Sequence, residues 1–504
     1  MSSVFTIENR YQRNYFYLLL FLLIFKAALA LVLIGTYDVH LAPDEAQYWT
    51  WSQQLDWGYF SKPPAIAWQI FLTTALFGNN EFGVRFGAVL ISFFLPLITY
   101  ATAKYAHFSA RTAFWTGIVM AFSPLGIFLS FMATTDGGMM LFLTLGICSI
   151  VRGLNEDEGP NYAVTGLWIM LSALYKWTAF VLWPVTLFFM LFYGRLRKWG
   201  FFFGIAISLL AFIPSLYWNL THDFATFKHV GHTITKKIGH HGNFLDFFFA
   251  QIGLFSPIFW GMLFCSYFFM KSRSVIYCAA YPFLFLIYFI AAFFKQIQPN
   301  WGAFLYPAAA LPVAWFGVER LRTGKIWLQL GTWLSIVFSV VAIAIPFIQS
   351  RNLLPIPYKV SPFRQNVGWS HLGPALSKSG YDPQTDFLFG DKYQTASLLS
   401  FYGPEKKRAY FFNLNGDRKN QFSYWPQIEE KGKTGFFVVI ENVKEEALNW
   451  YKEHYEQRLK PYFASVEHMG VTPLFVSCGE AVKHAIIFRC TDFSGSHPQD
   501  PEKY

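Results

Sequence analysis

The chain has 504 residues, 54% hydrophobic and 20% aromatic, with only 14% charged and a formal charge of +10. Soluble proteins carry about 25% charged residues, so a wholly soluble protein is excluded. The deficit lies in residues 1–348, where apolar runs of about 20 residues recur, whereas residues 349–504 read as soluble. The basic residues sit in short clusters between apolar runs, as membrane topology places them, so the charge does not point to nucleic acid.

In chain order, eleven membrane helices are predicted, near 15–36, 82–104, 112–131, 137–152, 162–175, 177–193, 200–218, 247–270, 274–294, 302–318 and 326–348. The first run is too long for a signal-peptide core and no small-residue cleavage site follows, so it reads as a retained helix. Arg10 and Arg13, Lys104 and Arg111, Arg152, then Arg195, Arg197 and Lys198 fall at every second connection. Lys271 and Arg273, then Arg320, Arg322 and Lys325, continue the series, which marks the cytoplasmic side. Segment 37–81, the turn Thr134–Asp136, loop 219–246, segment 295–301 and residues 349–504 then face outward. The run from Gly166 to Tyr193, interrupted only by Lys176, also reads as one long helix, which would invert everything after it.

Within the first outward segment, "DEAQYWTWSQQL" has the spacing of a short amphipathic helix, with Tyr48, Trp51 and Leu55 on one face and Pro43 at its start. "PPAIAWQIFLTTALFG", flanked by Lys62 and Gly78, is a second. Both are expected to lie in the membrane interface plane. From Asp386, "DFLFG", "RAYFF" and "GFFVVI" read as strands, "YQTASLLSFY" and "VKEEALNWYKEHYEQ" as helices, and "PLFVSC" with "HAIIFRC" as a closing hairpin, giving a small outward α/β domain. Of five cysteines, Cys148, Cys265 and Cys278 lie in apolar runs; Cys478 and Cys490 flank the hairpin, their pairing open, and no spacing suggests zinc.

Each candidate site residue has an ordinary structural reading beside the chemical one. Asp44 and Glu45 suit a helix N-terminus, and a carboxylate at a membrane rim also suits a base toward a hydroxyl. Lys62 and Arg85 read as interfacial anchors or as cations for a phosphate; Arg85, at an outer helix end, runs against the positive-inside trend. Tyr48 and Lys176 complete that phosphate-binding set, Lys176 being equally readable as an anchor. Asp136 suits an N-cap, but an ionisable residue at membrane depth is a functional candidate, and Gly137 and Gly138 permit close approach. Loop 219–246 holds His222, Lys228, His229, His232, Lys236, Lys237, His240 and His241: a solvated loop or a basic flap over an anionic substrate. Asn300, Trp301 and Tyr306 in "QIQPNWGAFLYPA" belong to an aromatic belt or to the substrate site.

Together, "PDEAQYWTWSQQLDWGYFSKPPAIAW", "SPLGIFLSFMATTDGGMMLF", "GLWIMLSALYKWTAFVLWP", "LYWNLTHDFATF", "QPNWGAFLYPA" and "DKYQTASLLSFYG" resemble, in order from about residue 40 to 425, bacterial GT-C-fold glycosyltransferases of the protein-O-mannosyltransferase-like superfamily. The resemblance is to the aminoarabinose- and galacturonic-acid-transferase branch. It implies a polytopic α-helical GT-C domain of about 11 transmembrane helices (1–348) with a C-terminal periplasmic α/β domain (349–504) in the bacterial inner membrane. It further implies transfer of a sugar from a polyprenyl-phosphate donor to lipid A, lipopolysaccharide core or another envelope acceptor. Asp44 matches the favoured base, Glu45 its acidic neighbour, Asp136 the second-loop acid, and Lys62 the donor-phosphate lysine. Ser61 stands where the aminoarabinose branch has a glutamate implicated in zinc binding with a histidine matching His222, so a metal there is in doubt and no cofactor is required. Direct displacement through an oxocarbenium-like state, with cations stabilising the phosphate, predicts inversion. A monomer working with membrane lipid and no nucleic acid is expected. The alternatives are a flippase or transporter of lipid-linked sugar, disfavoured by the absence of repeats, a protein O-glycosyltransferase, and a polysaccharide polymerase or ligase.

Overall fold

The structure, a computed structural model, describes residues 2–36, 39–235, 242–429, 431–443 and 447–499, with side chains from residue 13 onward except at 234 and 235. Lys236, Lys237, His240 and His241 of the expected flap lie outside the described residues.

The chain opens with α1 (Ser2–Thr36), α2 (Pro43–Ser52), α3 (Ala65–Phe77), α4 (Glu81–Tyr105), α5 (Ala110–Phe122), α6 (Pro124–Phe128) and α7 (Thr135–Asn155). Then come α8 (Tyr162–Ala173), α9 (Leu182–Met190), α10 (Gly200–Leu209), α11 (Phe212–Thr221), α12 (Ala225–Thr235), α13 (Phe244–Phe255) and α14 (Pro257–Ser266). The helical part closes with α15 (Arg273–Phe283), α16 (Phe285–Phe294), α17 (Tyr306–Trp315) and α18 (Gly324–Ser350). All eleven apolar runs are helical. Among the described residues, seven segments are long and apolar enough to cross a membrane: Arg13–Thr36, Glu81–Tyr105, Thr135–Asn155, Gly200–Thr221, Arg273–Phe294, Pro299–Arg320 and Gly324–Ser350. This is a multi-pass membrane protein.

Two apolar runs break where single spans are expected, and the run 162–193 breaks where the two-helix reading places it. The run predicted at 247–270 bends by 93° between α13 and α14, at Ser256 with φ 81°, so it is a broken segment. The run 162–193 breaks at Lys176 into α8 and the short segment Trp177–Met190, which removes the one-long-helix alternative. The third run breaks at Ser123, whose hydroxyl caps α6. There the Lys26 ammonium donates to the carbonyls of Ala121 (3.0 Å) and Gly126 (2.7 Å), satisfying backbone acceptors that lipid cannot.

The helix ends sort by charge. At one end, Arg152 lies 5.1 Å from the Tyr105 ring, Arg195 pairs with Asp157 at 2.7 Å, and Thr112 bonds Glu319 at 2.6 Å. The first turns of α4 and α7, carrying Arg85 and Asp136, lie at the other end.

The C-terminal region forms a five-stranded sheet from β1 (Phe387–Gly390), β2 (Tyr410–Phe411), β3 (Gly435–Glu441), β4 (Phe463–Ser477) and β5 (Glu480–Phe493), in the order β2-β1-β3-β5-β4. The β1–β2 and β1–β3 pairs are parallel; β5 runs antiparallel to both β3 and β4. The hairpin turn holds exposed Cys478, whereas Cys490 is buried in β5, and both are free thiols. The helices α19 (Leu372–Lys378), α20 (Tyr393–Tyr402) and α21 (Leu448–Leu459) accompany the sheet.

The first outward segment departs from expectation. Of its two helices, α3 alone shows lipid-type exposure, at Phe71, Leu72 and Leu76. Every residue of α2 from Glu45 to Ser52 is buried, because α20 closes over it. Trp49 meets Phe401 edge-on at 4.9 Å, the Tyr402 hydroxyl takes the Leu41 N–H at 2.7 Å, and Gln421 Oε1 takes the Phe60 N–H at 2.7 Å. The aromatics of α2 therefore face protein, and Leu55, beyond its end, is exposed. Phe401→Ala should loosen this contact and lower stability by roughly 3 kcal/mol; thermal unfolding of the detergent-purified protein measures it, and an unchanged melting point would mean that α2 is held without α20.

Candidate active site

Adjacent residues on a helix point about 100° apart, so the acid doublet of α2 splits. Glu45 turns inward. Its carboxylate takes Arg85 Nε at 3.0 Å and Nη2 at 2.8 Å, the Ala42 N–H at 2.9 Å and the Ala133 N–H at 2.9 Å. Arg85 spends its other hydrogen bonds on the carbonyls of Val39 (2.6 Å) and His40 (2.7 Å). Both side chains are sealed, at 0% and 1% exposure. This corrects two expectations: Arg85 has no face to offer a phosphate, and Glu45 has no lone pair to offer a proton. The pair is a brace joining α4, the 39–45 entry to α2 and the turn before α7.

Asp44 turns the other way, its side chain open to a recess. No side-chain hydrogen bond holds it among the described residues, and burial by the surrounding protein raises its pKa, with Lys62 opposing the rise and Glu45 adding to it. Across from it, the half-buried Lys62 has its pKa lowered by burial and by Lys176, against the pull of Asp136 and Asp44. Both groups are thus reachable by a small ligand, Asp44 being exposed and Lys62 half-buried, with enough protein packed around them to shift both.

Asp136 enters from the first turn of α7, two residues past the helix-capping position, which Thr134 rather than Asp136 occupies. Its two oxygens are both engaged, one by Lys176 Nζ at 2.7 Å and the other by Asn300 Nδ2 at 3.0 Å. Asp136 therefore fixes Lys176 and Asn300, and Lys176 keeps donors to spare. Tyr48, one turn after Asp44, is buried, bonds Thr135, and has its pKa driven up by burial and by Asp44 and Asp136.

Two further segments wall the recess. On α12, His229 packs on Phe60 at 4.8 Å, and burial, with Arg418, Lys62 and His232, pushes its pKa down to about 4. It is neutral near pH 7, so its Nδ1 can accept from Arg418 Nη1 at 3.3 Å. Arg418 comes from the C-terminal region, on a turn clasped by reciprocal Asn413–Asp417 bonds of 2.8 Å. It is exposed, bonds Tyr393, and its charge reaches Lys62; Tyr393 is also within the field of Asp44. Nothing in the sequence of this region marks a site residue on its own. Arg418 stands in a polar N-G-D turn typical of any loop, and Tyr393 had only its place in the "DKYQTASLLSFYG" match as a signal.

The other candidates fall outside the recess or at its edge. Tyr306 is core: its hydroxyl donates to Gln251 at 2.8 Å and its ring stacks on Phe255 at 4.7 Å, correcting its expected place at the substrate. Trp301 is half-buried against the same core. Lys228 pairs with Asp223 at 2.5 Å on an exposed face. His222 stacks on Trp218 at 4.1 Å and its Nδ1 lies 2.8 Å from the Trp218 carbonyl. No group of three or more metal-ligating side chains is found among the described residues.

Over nearly its whole length the chain superposes on ArnT from Cupriavidus metallidurans bound to undecaprenyl phosphate, with a TM-score of 0.62 at 14% identity, covering 92% of this chain and 97% of that one. The fold is GT-C. Residues 61–218 also match the dolichyl-phosphate-mannose-protein mannosyltransferase family. A lipid A galacturonosyltransferase, RgtD, from Rhizobium johnstonii is 31% identical over 289 residues, which cover 54% of this chain and 59% of the relative. An undecaprenyl phosphate-α-4-amino-4-deoxy-L-arabinose arabinosyl transferase from Pseudomonas aeruginosa is 30% identical over 142 residues, 26% of each chain. The chain thus spans less than two thirds of these curated relatives, and the GT-C likeness extends beyond what their sequences cover. It is the aminoarabinose and galacturonic-acid branch that the sequence resembles.

The brace makes a direct prediction. Glu45→Gln leaves a buried guanidinium uncompensated and should lower stability by about 3–5 kcal/mol, read as a fall in melting temperature, whereas Asp44→Asn should leave it unmoved. Equal melting of the Glu45 variant and the parent protein would remove the brace from the account.

Proposed function

We propose that the protein is an inner-membrane glycosyltransferase that moves a sugar from a polyprenyl-phosphate donor to lipid A or a related envelope acceptor at the periplasmic face. The observation that carries this reading is the pairing of an unengaged carboxylate, Asp44, with the ammonium of Lys62 in one recess, flanked by Lys176 and Arg418. The recess lies at the helix ends opposite the basic cluster of Arg152 and Arg195, which the positive-inside rule assigns to the cytoplasm. The sheet-bearing C-terminal region is then periplasmic, because it packs on α2. The likeness to ArnT and the names of the relatives point to the same chemistry.

In the proposed reaction the acceptor hydroxyl attacks the anomeric carbon as the bond from that carbon to the phosphate oxygen breaks. The hydroxyl proton passes to Asp44, and polyprenyl phosphate leaves with its charge matched by Lys62, Lys176 and Arg418. With Asp44 acting as base and both oxygens of Asp136 occupied, neither carboxylate serves as a covalent nucleophile, and direct displacement inverts the anomeric carbon. Asp44 is the base rather than Asp136, whose oxygens are both occupied. No step calls for a metal.

Asp44→Asn should reduce transfer by about 10²–10⁴-fold with normal folding, read by mass spectrometry of lipid A from cells with and without the gene; undiminished modification in that variant would sink the assignment. Arg418→Ala should weaken donor binding by about 10-fold or more, the scale of a lost charged hydrogen bond, and raise KM for the donor more than it lowers kcat. The pH profile follows from the two shifts. A base is active when deprotonated, so the rate falls as pH drops through the raised Asp44 value; a cation acts when protonated, so it falls again as pH rises through the lowered Lys62 value. Lys62→Arg should remove the alkaline limb, since Arg keeps its proton, and His229→Gln should not change the profile between about pH 5 and 8.

A further inference from the structure

A second constellation lies at the outer end of α18, away from Asp44 and Lys62. A cavity of about 180 Å³ opens between that helix end and the C-terminal region, lined by His40, Phe347, Ser350, Ser370 and His371 among others. No carboxylate lines it among the described residues. His40 is 7% exposed, and its Nδ1 has no hydrogen-bond partner among the described residues. Arg85, Lys483 and His371 surround it, and with burial they hold its pKa down to about 3. Lys483 sits behind the wall, 3.9 Å from the Trp369 ring and 2.8 Å from the carbonyl of Val367, a wall residue. Arg351 stands at the rim, 4.4 Å from the ring of Phe347. Gly368, with φ 88°, brings backbone to the lining where a Cβ would meet the Leu474 carbonyl at 2.4 Å.

Phe347 also lines a second space. A groove of about 780 Å³ runs between α1, α5, α6 and α18, walled by Leu33, Phe131, Trp333, Ile343 and their neighbours. From Gln329 to Phe347 it follows α18 for roughly 27 Å at 1.5 Å per residue, close to the ~30 Å of a bilayer core. Its walls are almost wholly apolar. A cavity lined by two histidines and two serines, with Arg351 beside it, therefore caps an apolar groove of membrane length.

We infer that these two spaces form one binding site for an anionic, acylated membrane lipid, with its phosphate beside His40, His371 and Arg351 and its hydrocarbon chain in the groove against α1 and α18. An orphaned buried ring nitrogen, with His371 in the lining and Arg351 beside it, asks for an anion, and only a lipid phosphate brings a chain to the groove as well. The site does not depend on the proposed transfer reaction, and its occupant joins the C-terminal region to the helical part.

The test is native mass spectrometry of the full detergent-purified chain, titrated with phosphatidylglycerol, phosphatidylcholine of the same chains, or inorganic phosphate. The expected result is one retained phosphatidylglycerol, held roughly tenfold or more tighter than phosphatidylcholine. Arg351→Gln with His371→Gln, both exposed side chains, should abolish that preference, and Ala344→Trp, which fills the groove, should weaken binding of either lipid. Equal retention of the two lipids, a preference that survives the double variant, or inorganic phosphate binding as tightly as the lipid would each overturn the inference. Loss of binding in the double variant with an unchanged melting temperature would separate loss of the site from loss of the fold.

Discussion

The bond between Arg85 and Glu45 is the constraint on which the site depends. Burying a guanidinium and a carboxylate is unfavourable unless every donor and acceptor is met. Here the two carboxylate oxygens and the guanidinium share four backbone partners from two chain segments, residues 39–42 and the turn at Ala133. That closure fixes the azimuth of α2 about its axis. With Glu45 held inward, the geometry of a helix places Asp44 outward, toward Lys62. The chemically free acid is thus aimed by its buried neighbour.

The recess itself is an electrostatic compromise. Two carboxylates, Asp44 and Asp136, face Lys62, Lys176 and Arg418, and only the Asp136–Lys176 pair is locked by a direct bond. The locked pair spends little of its strength outside itself. The unlocked groups keep their charges for a ligand, and the opposing shifts of Asp44 and Lys62 show each disfavoured by burial and supported by the other. A phosphate entering the recess meets ammonium and guanidinium groups already in place, so little reorganisation accompanies binding.

Much of this was legible in the sequence. Apolar runs marked the helices because lipid leaves no alternative for the backbone, and alternating short segments marked the sheet and its hairpin. Asp44, Lys62, Asp136, Lys176 and Asn300, named from local context, are brought into one neighbourhood. What was not legible depends on long-range contact. Nothing local tells which acid of a doublet will find an arginine forty positions on, so Arg85 and Glu45 were misassigned to chemistry. Amphipathic spacing in α2 identifies an apolar face but not whether lipid or protein covers it, and α20 covers it. The bend at Ser256 does carry a local mark, since Pro257 follows it directly and a residue before proline is pushed out of the helical region, but nothing local gives its 93° size. Arg418 reaches the recess from more than 350 residues beyond Lys62 in an unremarkable polar turn.

The closure of α2 by α20 and Gln421 has a consequence for traffic. Bonds from the Leu41 and Phe60 amides tie the ceiling to the floor, so admitting a bulky lipid from above would mean breaking them at each turnover. A passage sideways, between helix ends at the level of the headgroups, breaks none. In the proposed reaction both lipid-anchored reactants would then arrive and depart within the plane of the leaflet, and turnover would respond to how lipids diffuse and pack around the protein.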